Sequence, residues 1–129
     1  MEYLVDTVAL VRHLRAARTL GPQARSILRQ ADAGQHQVFI SAVTLMEILY
    51  LSEKRRIPVD LESIRNLLAS RDNYQVAPVD LNVVTIAAQI DDVPELHDRL
   101  IVATARFHRV TILTNDLVMS SSKHAETIW

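Results

Sequence analysis

Two hydrophobic periods alternate along this chain. Short, near-continuous apolar runs have the length and β-branched content of buried strands: Tyr3-Leu4-Val5, Val38-Phe39-Ile40 and Ile112-Leu113. Longer stretches between them repeat apolar residues at helical spacing, as in Leu10, Leu14 and Ala17. The first run predicts a strand over Glu2–Asp6, followed by a helix. Gly21-Pro22 opens a second helix, since proline fits the first turn, and Gly34 is its stop. Gln37–Ile40 is the second strand and Thr44–Arg55 the next helix. Asp60 is placed to cap Leu61–Ser70, and Asp80 to cap Leu81–Ile90 after a third strand at Gln75–Val79. A loop over 91–96 leads to a helix from His97 to about His108. Its Leu100, Ala103, Thr104 and Phe107 trace the stripe of a buried face. Val110–Thr114 is the fourth strand, and Glu126–Trp129 a short terminal one. Strands alternating with helices imply a mainly parallel sheet of four to five strands, covered on both faces.

Composition narrows the class without deciding it. With 129 residues, 49% hydrophobic content and a net charge of -1, the chain reads as one ordinary globular domain, 1–129. It has no cysteine, so disulfides and thiolate metal sites are excluded and a reducing, cytoplasmic setting is expected. The first strand follows Met1 at once, which leaves no room for a signal peptide. No apolar run approaches the 18 or so residues that span a bilayer. A neutral balance gives no support to a globally electrostatic nucleic-acid binder, so any nucleic acid must be held by a local patch and a metal.

The candidate chemistry lies in four acids. Asp6 and Asp116 stand just past the carboxyl ends of the first and fourth strands, the edge where open parallel sheets bind ligands. Glu47 and Asp98 fall near the starts of two helices. Gathered together, such carboxylates repel by about 4 kcal/mol per close pair at an effective dielectric near 20. A hard divalent cation is their natural counterpart, because Mg²⁺ takes oxygen ligands and keeps several waters. Each acid also has a structural reading. Thr44-Leu45-Met46-Glu47 matches a capping box. Asp98 suits a helix N-terminus through the macrodipole, and Asp6 and Asp116 suit turns.

Four segments run in the order of a known family: Tyr3-Leu4-Val5-Asp6-Thr7, Ile40-Ser41-Ala42-Val43-Thr44-Leu45-Met46-Glu47-Ile48, His97-Asp98-Arg99-Leu100-Ile101-Val102-Ala103-Thr104-Ala105 and Ile112-Leu113-Thr114-Asn115-Asp116. In these the chain resembles PIN domains, and among them the small VapC-type toxins of toxin–antitoxin pairs. The resemblance implies a three-layer α/β/α sandwich and a metal-dependent endoribonuclease that uses Mg²⁺, with Mn²⁺ as a substitute. It makes Asp6, Glu47, Asp98 and Asp116 the catalytic metal ligands, with Thr114 or Asn115 as a polar neighbour; Thr7 and Arg99 are further candidates to contact the substrate or the metal's ligands. It also implies an RNA substrate, a cognate antitoxin and a homodimer. One departure is local: many relatives carry an aromatic residue shortly after the last acid, where this chain has Leu117-Val118-Met119.

The remaining reactive residues form no rival site in the sequence. The five histidines, His13, His36, His97, His108 and His124, lack metal-ligand spacing, and no Ser–His pair can be placed. His97 beside Asp98 reads as a capping or surface residue. Arg106, Arg109 and Lys123 are candidate phosphate ligands, though solvated charge is the plainer reading, and Arg99 suits an ion pair. A response-regulator receiver would need paired acids after the first strand and a lysine closing a late strand, neither of which is present. The open alternatives are a PIN nuclease acting on DNA or in RNA maturation, and a PIN-like module that only binds.

Overall fold

A computed structural model describes residues 1–129. The sheet contains β1 (Glu2–Val5), β2 (Gln37–Ser41), β3 (Tyr74–Ala77), β4 (Thr111–Leu113) and β5 (Thr127–Ile128), in the order β3-β2-β1-β4-β5. Every neighbouring pair is parallel. From β1 the chain builds outward to β2 and β3, then crosses back to add β4 and β5. The reversal of strand order therefore lies between β1 and β4, the place in such sheets where a crevice opens at the carboxyl ends.

Successive strand residues face opposite sides, so each apolar run feeds two cores. Tyr3, Val5, Val38, Ile40 and Leu113 pack under α1 (Thr7–Leu14), α2 (Pro22–Asp32), α3 (Ala42–Glu53) and α4 (Leu61–Ser70). Leu4, Phe39, Ala77 and Ile112 pack under α5 (Leu81–Ala87), α6 (Leu96–His108) and α7 (Leu117–Ser121). The result is the expected three-layer α/β/α sandwich. No helix is long and apolar enough to cross a membrane.

Several boundaries differ from expectation, each for a local reason. β1 ends at Val5 because Asp6 becomes the N-cap of α1, its carboxylate accepting from Ala9 N. α3 starts at Ala42, capped by Ser41, which sets Thr44 and Glu47 inside the helix and removes the capping-box role. Likewise α6 starts at Leu96 with Glu95 as its cap, so Asp98 sits in the first turn without capping it. β3 stops before Pro78, which has no N–H for the ladder. Arg109 ends α6 in the left-handed conformation (φ 57°) and delays β4 to Thr111. Phe107, expected in the buried stripe, is 43% exposed. His108 takes the inward position beside it, its ring stacked on Phe39 with centroids 4.4 Å apart. Helix α7, just five residues long, was not expected.

Candidate active site

The cleft at the β1/β4 reversal holds all four acids. Asp6, Glu47, Asp98 and Asp116 line a cavity of about 130 Å³ together with Thr7, Val8, Ile101, Asn115 and Met119. Four separate elements supply the carboxylates: the β1–α1 junction, α3, α6 and the β4–α7 junction. No lysine or arginine is among the lining residues.

Asp6 is the anchor. It is 5% exposed, and its N–H donates to Leu113 O over 3.2 Å, continuing the β1–β4 ladder by one residue. One carboxylate oxygen accepts from Ala9 N at 2.7 Å and the other from the Thr114 hydroxyl. Thr114 is 1% exposed and also accepts from Asp116 N at 3.0 Å, so a single buried hydroxyl sets the positions of both strand-end acids. Asp116 in turn caps α7, accepting from Met119 N at 2.9 Å. Glu47 is oriented from across the sheet edge. The Thr7 hydroxyl lies 2.9 Å from its Oε1 and 3.1 Å from the buried Thr44 Oγ1.

The electrostatics record the crowding. Burial pushes the Asp6 carboxyl above the usual range, partly offset by its bonds from Thr114 and Ala9, while Asp116 and Glu47 push it further up. Asp98 is pushed up to about 6, first by burial and then by the charges of Asp116, Glu95, Glu47 and Asp6. Like charges and desolvation both penalise the ionised form, so a positive partner at this point is strongly favoured. An all-oxygen donor set suits a hard cation such as Mg²⁺ and offers nothing to soft metals.

Of the other residues singled out in the sequence, Thr7 and Asn115 line the cleft, whereas Arg99 does not. Its Nε donates to Ala87 O at 2.9 Å, tying α6 to the end of α5 in place of an ion pair. His97 pairs with Glu95 at 2.9 Å on the surface. Arg106, Arg109 and Lys123 line a different hollow beside Val110 and Thr111, at the opposite end of β4 from Asp116. Asp91, Asp92 and His124 also bring potential ligand atoms within 4.8 Å of one another. They are engaged with Lys123, Ser122 and each other, and clasp the α5–α6 loop to the chain ahead of β5. The orienting contacts from Thr44 and the caps at Ser41 and Glu95 were not legible in sequence. A serine just before an apolar helical run was the available signal for Ser41, whereas glutamate is not a favoured N-cap.

The PIN domain family model matches residues 3–123. The chain belongs to the PIN domain family. Its fold is shared with solved toxin–antitoxin structures. VapBC2 from Rickettsia felis bound to a promoter DNA fragment superposes with a TM-score of 0.71 at 15% identity, covering 99% of this chain and 98% of that one. VapBC from Salmonella typhimurium bound to DNA gives 0.70 at 18% identity, covering 99% and 97%. A toxin–antitoxin complex from Klebsiella pneumoniae gives 0.65 at 20% identity, covering 98% and 96%. No curated protein matches the sequence. All four carboxylates of the cleft fall within the residues that the PIN domain model matches.

Proposed function

We propose that this PIN domain is a VapC-type toxin, a metal-dependent endoribonuclease whose metal ligands are Asp6, Glu47, Asp98 and Asp116. The observation that carries the reading is the convergence of four carboxylates from four elements on one cleft that no basic side chain lines. Membership of a nuclease-type family and likeness in fold to solved toxin–antitoxin complexes support it. When bound, Mg²⁺ or Mn²⁺ would polarise the scissile phosphodiester and lower the pKa of a coordinated water. The chain's own part is placement. Thr114 and Ala9 hold Asp6 by both carboxylate oxygens, and Thr7 turns Glu47 toward the same cleft. Asp98, its carboxyl raised to about 6, is mostly ionised at neutral pH, and a proton competes with the cation for it as the pH falls toward 6.

The partners follow from the same site. An antitoxin tail silences it by placing an Arg or Lys among the acids, a charge-assisted contact in the cation's position. The apolar hollow formed by Met46, Tyr50, Leu51 and His97 shares Glu47 with the acidic cleft and can seat the rest of such a tail. Leu81 and Val84, exposed on α5, provide apolar surface for a homodimer. The deciding experiment incubates purified protein with mixed RNA in Mg²⁺, in Mn²⁺ and in EDTA. Cleavage should require Mg²⁺ or Mn²⁺, with Zn²⁺ a poor substitute. Cleavage that persists in EDTA after the metal has been stripped would reject the mechanism.

A further inference from the structure

Between Asp6 and Asp32 the chain carries five arginines, Arg12, Arg15, Arg18, Arg25 and Arg29, and no carboxylate. The rest of the molecule holds nine basic and fifteen acidic residues, so a near-neutral protein conceals one strongly positive hairpin. Four of these arginines (Arg12, Arg18, Arg25 and Arg29) line a single hollow of about 390 Å³ between α1 and α2. The one acid in that hollow is already satisfied. Asp32 is paired with His13 at 2.9 Å, accepts from Tyr74 Oη at 2.8 Å and lies 3.9 Å from Arg71 Nε.

We propose that this hollow grips the phosphodiester backbone of an RNA strand whose scissile phosphate lies in the acidic cleft; the inference rests on the nuclease reading above. Two of the guanidiniums are held in place by the turn that joins the helices. Arg12 donates to Thr19 O at 3.2 Å, and Arg25 donates to Arg18 O at 2.8 Å and Leu20 O at 3.0 Å. Each guanidinium has five N–H donors, so both keep donors free for a ligand. Arg18 and Arg29 are exposed, and their guanidiniums bond to no other protein group. Guanidinium forks match phosphate oxygens, and four converging on one hollow exceed what solvation of a helix face requires.

Helix α1 connects the two sites. It begins at Thr7 in the acidic cleft and presents Arg12 five residues later, about 7.5 Å further along its axis. A polyanion approaching four carboxylates needs a compensating positive field close by; outside the hairpin acids outnumber bases, and the other basic hollow, lined by Arg106, Arg109 and Lys123, lies at the opposite end of β4. An acidic peptide could satisfy the arginines but has no reason to continue into a carboxylate cleft. A nucleic-acid strand must do so, since its next phosphates flank the one being cut.

The test measures binding of a fluorescent single-stranded RNA in EDTA, so that the strand is not cut, across a salt series. It compares wild type with Arg18→Ala/Arg29→Ala and, as a charge-matched control, Arg56→Ala/Arg65→Ala, whose exposed arginines lie outside the hollow. The first variant should bind about tenfold more weakly and lower the slope of log affinity against log salt by about 1.4, two single-strand phosphate contacts. The control should do neither, and circular dichroism melts should show both variants folded as wild type. Equal losses in both variants would mean diffuse charge, and an unchanged slope in the first would mean no contact; either overturns the inference while RNA cleavage by wild type upholds the nuclease reading. Should wild type neither cut nor bind RNA, yet gain thermal stability from an acidic peptide through Arg18 and Arg29, both readings fall and the hollow is a protein-binding site.

Discussion

Asp98 separates a functional role from a structural one most cleanly. Since Glu95 caps α6, Asp98 contributes charge to the first turn without being needed to close it. Replacement by Asn keeps the shape and removes one member of a repelling set. We therefore expect Asp98→Asn to abolish RNA cleavage while leaving the metal-free protein at least as stable as wild type. Thermal melts beside a cleavage assay measure both, and a destabilised but active variant would return Asp98 to a structural role. The same residue sets a pH dependence. Its carboxyl is raised from an ordinary value of 3.8 to about 6 in the folded protein, so the folded state binds the proton more tightly than the unfolded one. The resulting stability is present below pH 4 and is lost as the pH rises through about 6, with Asp6 acting in the same direction. Metal-free protein should thus melt at progressively lower temperature from pH 4 to pH 7, a trend that Asp98→Asn should weaken. Metal affinity should rise over the same window, because the cation competes with that proton.

At the scale of elements, the site depends on junctions. Asp6 and Asp116 lie where a strand enters a helix and double as caps, Asp98 lies in the first turn of α6, and Glu47 is carried inside α3. Gly21 shows how tightly another junction is drawn. Its φ of -59° suits any residue, but an added Cβ would collide with the indole and carbonyl carbon of Trp129. The glycine is there for close approach of the C-terminal residue and not for backbone freedom. Trp129 also lies under the Arg12 guanidinium, 5.7 Å from the ring centroid. Gly21→Ala should cost about 1–3 kcal/mol as an overpacked contact, read as a lower denaturation midpoint in urea. Truncating Trp129 in the same background should restore most of that loss, and failure to do so would mean that the glycine serves the α2 start itself.

On the scale of the whole molecule, charge is divided. Acids converge on the sheet edge and arginines on the α1–α2 hairpin, although the total is only -1. A protein built this way should be stabilised by its cation in proportion to affinity. Added Mg²⁺ at a hundred times its Kd should contribute about 2.7 kcal/mol to wild type. The midpoint of thermal unfolding should rise with Mg²⁺ concentration, and the rise should shrink in Asp98→Asn. A midpoint that does not move with Mg²⁺ in either protein would argue against a metal site in the cleft.

Much of this was legible in the sequence because the signals are local. Two hydrophobic periods separate strands from helices, and an Asp after an apolar run marks a strand end wherever the chain goes. The parallel α/β class, a sheet of four to five strands and the four acids follow from such short-range patterns. The family pattern supplied the claim that the four acids belong together. What the tertiary structure alone decided are relations between distant residues. Thr114 meets Asp6 across 108 positions and Thr7 meets Glu47 across 40, and neither bond exists until β1 lies between β2 and β4. Helix starts also moved, at Ser41 and Glu95, because several nearby residues can cap and packing chooses among them. Arg99 was misread for the same reason: its partner is a backbone carbonyl on α5, and no side-chain pattern reports where a carbonyl will be. The arginine hollow is the plainest case. Five charges spread over eighteen residues look like a solvated face in sequence, and only the packing of α2 beside α1 brings four of them to one hollow.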